Sequence, residues 1–93
     1  MFEIVKQARL QRQEIANLLK VNRVTVSMWL NGHTKPHHLL VDRVEKLIDA
    51  ISAAVDAGDL PVPRDVSRRE RGYYIRNALK KHLDGDITTN NIS

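Results

Sequence analysis

The sequence predicts an all-α protein of about five helices, and three observations carry that reading. Apolar residues recur at spacings of three and four along nearly the whole chain, no stretch alternates long enough to make a strand, and turn-forming residues separate the helical runs. At 93 residues the chain has the size of one domain. It contains no cysteine, so neither a disulfide framework nor a thiolate metal site is available, and the fold must stand on apolar packing or on association of subunits. A catalytic cleft with several supporting shells is hard to house in so short a chain, which favours a binding module over an enzyme. The apolar runs are only a few residues long, and no basic start is followed by an apolar block and a small-residue cleavage site. Neither membrane insertion nor secretion is expected, and a cytoplasmic protein is.

Phe2, Val5 and Ala8 share one face of a first helix, with Ile4 beside them, that ends near Leu10. From Gln13 to Leu19, the residues Ile15, Ala16, Leu18 and Leu19 mark a short second helix. A third runs from Asn22 to Leu30, with Asn22 as its N-cap because its side chain can accept from a free amide of the first turn. Asn31–Gly32 stops it. Pro36 is expected to open a long fourth helix reaching Ala57, since a first-turn proline lacks an amide that would be unpaired there anyway. Gly58, Asp59, Leu60, Pro61, Val62 and Pro63 then read as terminator and stiff connector. Ser67 and Glu70 form a capping-box pattern opening a fifth helix, which continues through Ile75, Leu79 and Leu83 and closes at Asp84–Gly85. The expected organisation is therefore 1–57 as the main unit, 58–66 as connector, 67–83 as a C-terminal helix and 84–93 as a flexible tail.

The net charge of +4 and a pI near 9.8 favour a polyanionic partner, and the distribution says more than the total. Residues 1–40 hold six Lys or Arg against two acids, 41–63 hold two against five, and 64–83 hold seven against two. Two basic blocks flank an acidic one, so only part of the surface suits a phosphate backbone. On charge alone, an ordinary basic surface explains the totals equally well.

Residues 12–31, RQEIANLLKVNRVTVSMWLN, carry the sharper signal. Two short helices crossing steeply need a small residue where they touch, which Ala16 supplies, while Ile15, Leu19, Val21, Val26 and Trp29 close the core beneath. Through Ala16, Val21, Val26, Trp29 and the following NGHTKP, the chain resembles the Cro and phage-repressor-like helix-turn-helix family, of XRE type, over roughly residues 2–57. The family commonly places a glycine and then a proline after its recognition helix, as Gly32 and Pro36 stand here. It often has glycine in the turn, where this chain has Lys20, and glutamine opening the second helix, where Arg12 stands. Lysine fits the turn if its backbone takes the left-handed region, at a cost of about 1 kcal/mol, or if the turn itself differs slightly.

The resemblance implies binding of double-stranded DNA with the third helix in the major groove. If Val26 and Trp29 point inward, Arg23, Val24, Ser27 and Met28 face out. Arginine can pair with both acceptors of a guanine and apolar side chains can touch a thymine methyl, so Arg23 and Ser27 are the polar base readers and Val24 and Met28 the methyl readers. The family's contacts to the DNA backbone match Arg12, Gln13, Lys20, Asn31, His33 and Lys35, with Asn22 and Thr25 at the edge of that set. A helical hairpin that packs on another protein is the blander reading of the same amphipathic helices.

His33, His37 and His38 cluster around Pro36, with His82 as a fourth imidazole from elsewhere in the chain, but without cysteine or a fixed acidic partner no metal is assigned. Phosphate contact or helix capping suits these imidazoles better. Acid–base or nucleophilic catalysis has still less support: the acids are scattered, Ser27 lies on the reading helix, and no glycine-rich phosphate loop occurs. No cofactor is expected.

The fourth helix carries Val41, Val44, Ile48, Ile51 and Val55 beside a second row of Leu40, Leu47 and Ala54, wider than one seam needs. One row can cap the core while the other meets the fifth helix or a second subunit. The fifth helix sets Tyr73, Tyr74, Ile75, Ala78, Leu79 and Leu83 among Arg68, Arg69, Arg71, Arg76, Lys80 and Lys81; packing or dimerisation is favoured for it over further phosphate contacts, because its apolar stripe is continuous. A two-fold dimer would present two reading helices to a palindrome. The expectation is a small Cro-like repressor acting as a homodimer on an operator in the cytoplasm or nucleoid of a bacterial or phage-infected cell. An antitoxin-like autoregulator that also holds a partner protein, and a protein-interaction module without DNA binding, are the alternatives.

Overall fold

A computed structural model describes residues 2–83 of the chain. These residues form five helices and no strand: α1 (Glu3–Gln7), α2 (Arg12–Leu19), α3 (Arg23–Leu30), α4 (Val41–Asp56) and α5 (Arg68–Lys80). The expected all-α architecture is observed. The tail from 84 onward, with the Asp84–Gly85 stop, lies outside the described residues.

The helices are held by what stands at their ends. Asn22 caps α3 through its side-chain oxygen, which accepts from the Val24 amide at 2.9 Å. At the other end Gly32 takes a left-handed φ of 78°, and the amides of Gly32 and His33 return to the carbonyls of Trp29 and Met28. The connection between α1 and α2 is closed the same way without a glycine. Arg9 adopts φ 54°, and the amides of Arg9 and Leu10 reach back to Lys6 and Val5. Lys20 adopts φ 58° and ψ 45° between α2 and α3, the left-handed turn anticipated for a non-glycine residue at that position. Its amide and that of Val21 both bond to the Ala16 carbonyl.

Several boundaries differ from the sequence reading. The first helix stops at Gln7 rather than near Leu10, because Arg9 reverses the chain there. The second begins at Arg12, since Glu14 reaches back to accept from the Gln11 amide at 2.8 Å and so fixes the cap one residue before it. Pro36 does not open the fourth helix, which begins only at Val41. Residues 34–37 run without regular structure to a separate turn, in which the Leu40 amide bonds the His37 carbonyl at 2.7 Å and the Leu39 amide bonds His37 Nδ1 at 3.2 Å. Ser67 accepts from the Glu70 amide at 3.3 Å as expected, while the Glu70 carboxylate returns to the Ser67 hydroxyl at 3.0 Å. The fifth helix ends at Lys80, three residues short of Leu83.

One continuous core joins all five helices. It contains Val5, Ala8 and Leu10 of the first segment, Ile15, Ala16 and Leu19 of α2, Val26 and Trp29 of α3, and Val44, Leu47, Ala50, Ile51 and Ala54 of α4. Leu60 of the connector and Ile75, Ala78 and Leu79 of α5 complete it. Ala16, 1% exposed, lies where α2 meets α3, as a close crossing requires. Phe2 stacks on Trp29 with ring centroids 6.2 Å apart and planes 16° apart, so the start of the chain backs the third helix.

The fifth helix is tied down at both ends. Near its start, Arg71 donates to Glu14 through Nε at 2.5 Å and through Nη2 at 3.2 Å, and to the Arg9 carbonyl at 2.6 Å. Near its finish, the Tyr74 hydroxyl donates to the Asp59 carbonyl at 2.9 Å, while the Asp59 carboxylate meets His82 Nε2 at 3.2 Å and Lys81 Nζ at 3.8 Å. Among the described residues, no helix is long and apolar enough to cross a membrane.

Candidate nucleic-acid interface

The side chains of α3 divide along two faces. Val26 and Trp29 are buried, at 0% and 5% exposure, and hold the helix to α2 and to Phe2. At 100° per residue this sends Val24 and Met28 to the opposite side, where they are 64% and 38% exposed. Arg23 is also exposed, and Ser27 is half-buried between the two faces. The four proposed base readers thus share one outward surface, composed of one guanidinium, one hydroxyl and two apolar groups. Val24 and Met28 are both large apolar side chains left in water on this surface.

The residues assigned to the DNA backbone lie around this helix. Arg12 and Gln13 are exposed on the first turn of α2, where the Gln13 amide group donates to Asn17 Oδ1 at 2.9 Å. Lys20 is exposed at the turn. Asn22 has its side-chain oxygen committed to capping, so its carboxamide nitrogen is the group left to face a phosphate. Thr25 is half-buried, while Asn31, His33 and Lys35 are exposed along the loop that follows α3. The left-handed turn at Gly32 fixes the start of that loop by returning the His33 amide to Met28 at 2.9 Å.

Two residues that hold α2, and through it the turn into α3, leave little mark in the sequence. Arg43 of α4 donates from Nη2 to the Leu19 carbonyl at 2.7 Å, closing the C-terminal end of α2 just before the turn. Glu14 serves α2 and α5 at once, accepting from the Gln11 amide and from Arg71. An acid three positions after Gln11 is a readable capping signal. The long-range partners leave no periodic mark.

The packing assignments separate into two groups. Val44, Ile51, Ile75 and Leu79 are each at most 1% exposed and are consumed within the core of this chain, so none offers a surface to a second subunit. Ile48, Val55 and Leu83 are half-buried against that core, and Val41 is half-buried at the start of α4. The broad apolar surface of α4 is thus filled mainly by α1, the connector and α5, because the wider stripe is what several neighbours need. The histidines do not converge: His37 and His38 lie ring against ring at 4.3 Å, while His82 sits on Asp59. Among the described residues, no group of three or more His, Cys, Asp or Glu is placed to hold a metal ion.

No protein-family model matches the chain, and neither a curated protein nor a solved structure does.

Proposed function

We propose that this protein is a sequence-specific, double-stranded DNA-binding regulator of transcription, a small repressor of the Cro-like kind acting as a homodimer on a palindromic operator. The observation that carries the reading is the division of α3. Its inner face is locked by Val26 and Trp29 while Arg23, Val24 and Met28 stand in water, on a helix whose two ends are both capped. A rigid, exposed helix of this width fits a major groove, and its side-chain set matches the acceptors of guanine and the methyl of thymine. Arg12, Lys20 and Lys35 would supply phosphate contacts at its margins, giving affinity that falls with salt. In this reading the protein needs neither catalysis nor cofactor, and works in the cytoplasm or nucleoid, where its own concentration sets occupancy of the operator.

Selection of bound duplexes from a random pool tests the proposal. A recurring palindrome is expected, and Arg23→Ala with Ser27→Ala should abolish preference for it with helical content unchanged. Equal binding of random and selected duplexes across a salt titration would exclude sequence-specific regulation.

A further inference from the structure

We infer that the phosphate-contacting surface does not end on α2 but continues through the α1–α2 elbow onto the first turn of α5, where Arg9, Arg12 and Arg68 form one cationic patch that grips the DNA backbone outside the bases read by α3. The inference rests on the proposed DNA-binding role and assigns α5 a part in it.

The placement follows from Arg71. Its Nη2 lies 2.6 Å from the carbonyl of Arg9 and its Nε 2.5 Å from Glu14, so the start of α5 is fastened to the bend between α1 and α2. Arg68 stands three residues, or about one helical turn, before Arg71 and therefore beside that bend. Arg12, on the opening turn of α2, stands about 200° around that helix from Glu14, so it carries the charge of the elbow round to the other side of α2 instead of standing beside Arg68. Arg9, Arg12 and Arg68 are all exposed.

Of the acids nearby, Glu14 is shared between Arg71 and the Gln11 amide. Glu70 accepts from the Ser67 hydroxyl and keeps its charge, as does Asp65 of the connector, but Arg64, Arg68 and Arg69 in the same stretch outnumber these two acids. The Arg71 guanidinium is spent on Glu14 and a carbonyl, which leaves Arg9, Arg12 and Arg68 as the outward charges of the elbow. Arg9 adds a second pointer, because it holds a left-handed φ of 54° where glycine would be the unstrained choice. A cation kept at a strained, exposed bend is the kind of outlier that accompanies a binding role.

The partner is a phosphodiester backbone rather than an acidic protein, since Arg12 already borders the proposed reading surface and a duplex read there carries its phosphates on beyond the site. The contact carries no base preference, so it adds affinity and salt dependence uniformly.

The test uses the full chain and a duplex containing the selected site, either with about ten flanking base pairs on each side or trimmed to the site. Arg9→Gly removes the charge while relieving the bend, and Arg68→Gln removes it while keeping a good helix former. On the long duplex each variant should lower the steepness of log affinity against log salt by about 1.8, the value of two lost phosphate contacts, one from each subunit of the proposed dimer. On the trimmed duplex both should behave as the wild type, and base preference should be unchanged on either. Arg76→Gln with Lys80→Gln, at the far end of α5, serves as the control for bulk charge.

Unchanged slopes for Arg9→Gly and Arg68→Gln, or an equal fall in the control, would overturn the patch while leaving the DNA-binding role intact. A wild-type chain that binds no duplex would instead remove the role itself, and the patch with it.

Discussion

Arg71 of α5 holds Glu14 of α2 across 57 positions of sequence, with two guanidinium nitrogens on the two carboxylate oxygens. The pair is mostly shielded from water, at 21% and 13% side-chain exposure, and Glu14 also caps the helix it belongs to. Removing Arg71 therefore strips a carboxylate of its fork and a carbonyl of its donor together. Arg71→Ala should cost about 2 kcal/mol of unfolding free energy, the range for charged hydrogen bonds that leave a partner behind. Urea titration followed by circular dichroism measures it. In a double-mutant cycle with Glu14→Gln the two losses should be far from additive, because they share one interaction. Additive losses would mean that the pair contributes nothing through its contact.

Lys20 separates stability from binding. Its left-handed backbone is the strained solution for a residue with a Cβ, so Lys20→Gly should raise stability by about 0.5–1 kcal/mol, after allowing for the greater freedom of glycine in the unfolded chain. The same change deletes an exposed cation beside the proposed reading helix and should weaken binding to every duplex alike. A protein that melts higher and binds more weakly is the expected signature. A lower melting temperature would contradict the strain argument.

Val24 and Val26 lie two residues apart on α3 with opposite fates, at 64% and 0% exposure. Val26→Ala should cost about 2 kcal/mol by emptying a core position, while Val24→Ala should stay within about 0.5 kcal/mol of the parent. Binding should reverse the order once folding is accounted for. Val24→Ala is expected to lose discrimination at one base pair by about 1 kcal/mol and Val26→Ala to keep it. Trp29, the sole tryptophan and 5% exposed, reports unfolding of both variants by its fluorescence.

What could be read in advance were the features with a local cause. Asn22 before a helix, Gly32 after it, Ser67 three positions from Glu70 and the inward pairing of Val26 with Trp29 each follow from a few neighbouring residues, and each stands where expected. At Lys20 the sequence left two choices, a left-handed lysine or an altered turn, and the chain takes the first. Pro36 misled, since a proline suited to a helix start serves equally well in the extended stretch before His37. Arg43 on the Leu19 carbonyl, Arg71 on Glu14 and three side chains gathered at Asp59 were hidden for a different reason. Each joins residues far apart in sequence, and a long polar side chain shows no periodicity that would name its partner. The width of the apolar stripe on α4 was visible, but it took the packed neighbours to show that Val44 and Ile51 face inward within one chain.

Because α5 is fastened at the elbow by Arg71 and at the connector by Tyr74 and His82, it has no hinge on which to open by itself. Its inner residues Ile75, Ala78 and Leu79 share one core with Val26 and Trp29 of α3. Slowly exchanging amides in α5 and in α3 are therefore expected to follow one opening event, that of the whole molecule. A ligand that grips α3 slows exchange at the far end of α5 by the same factor, with no change of shape needed to carry the effect.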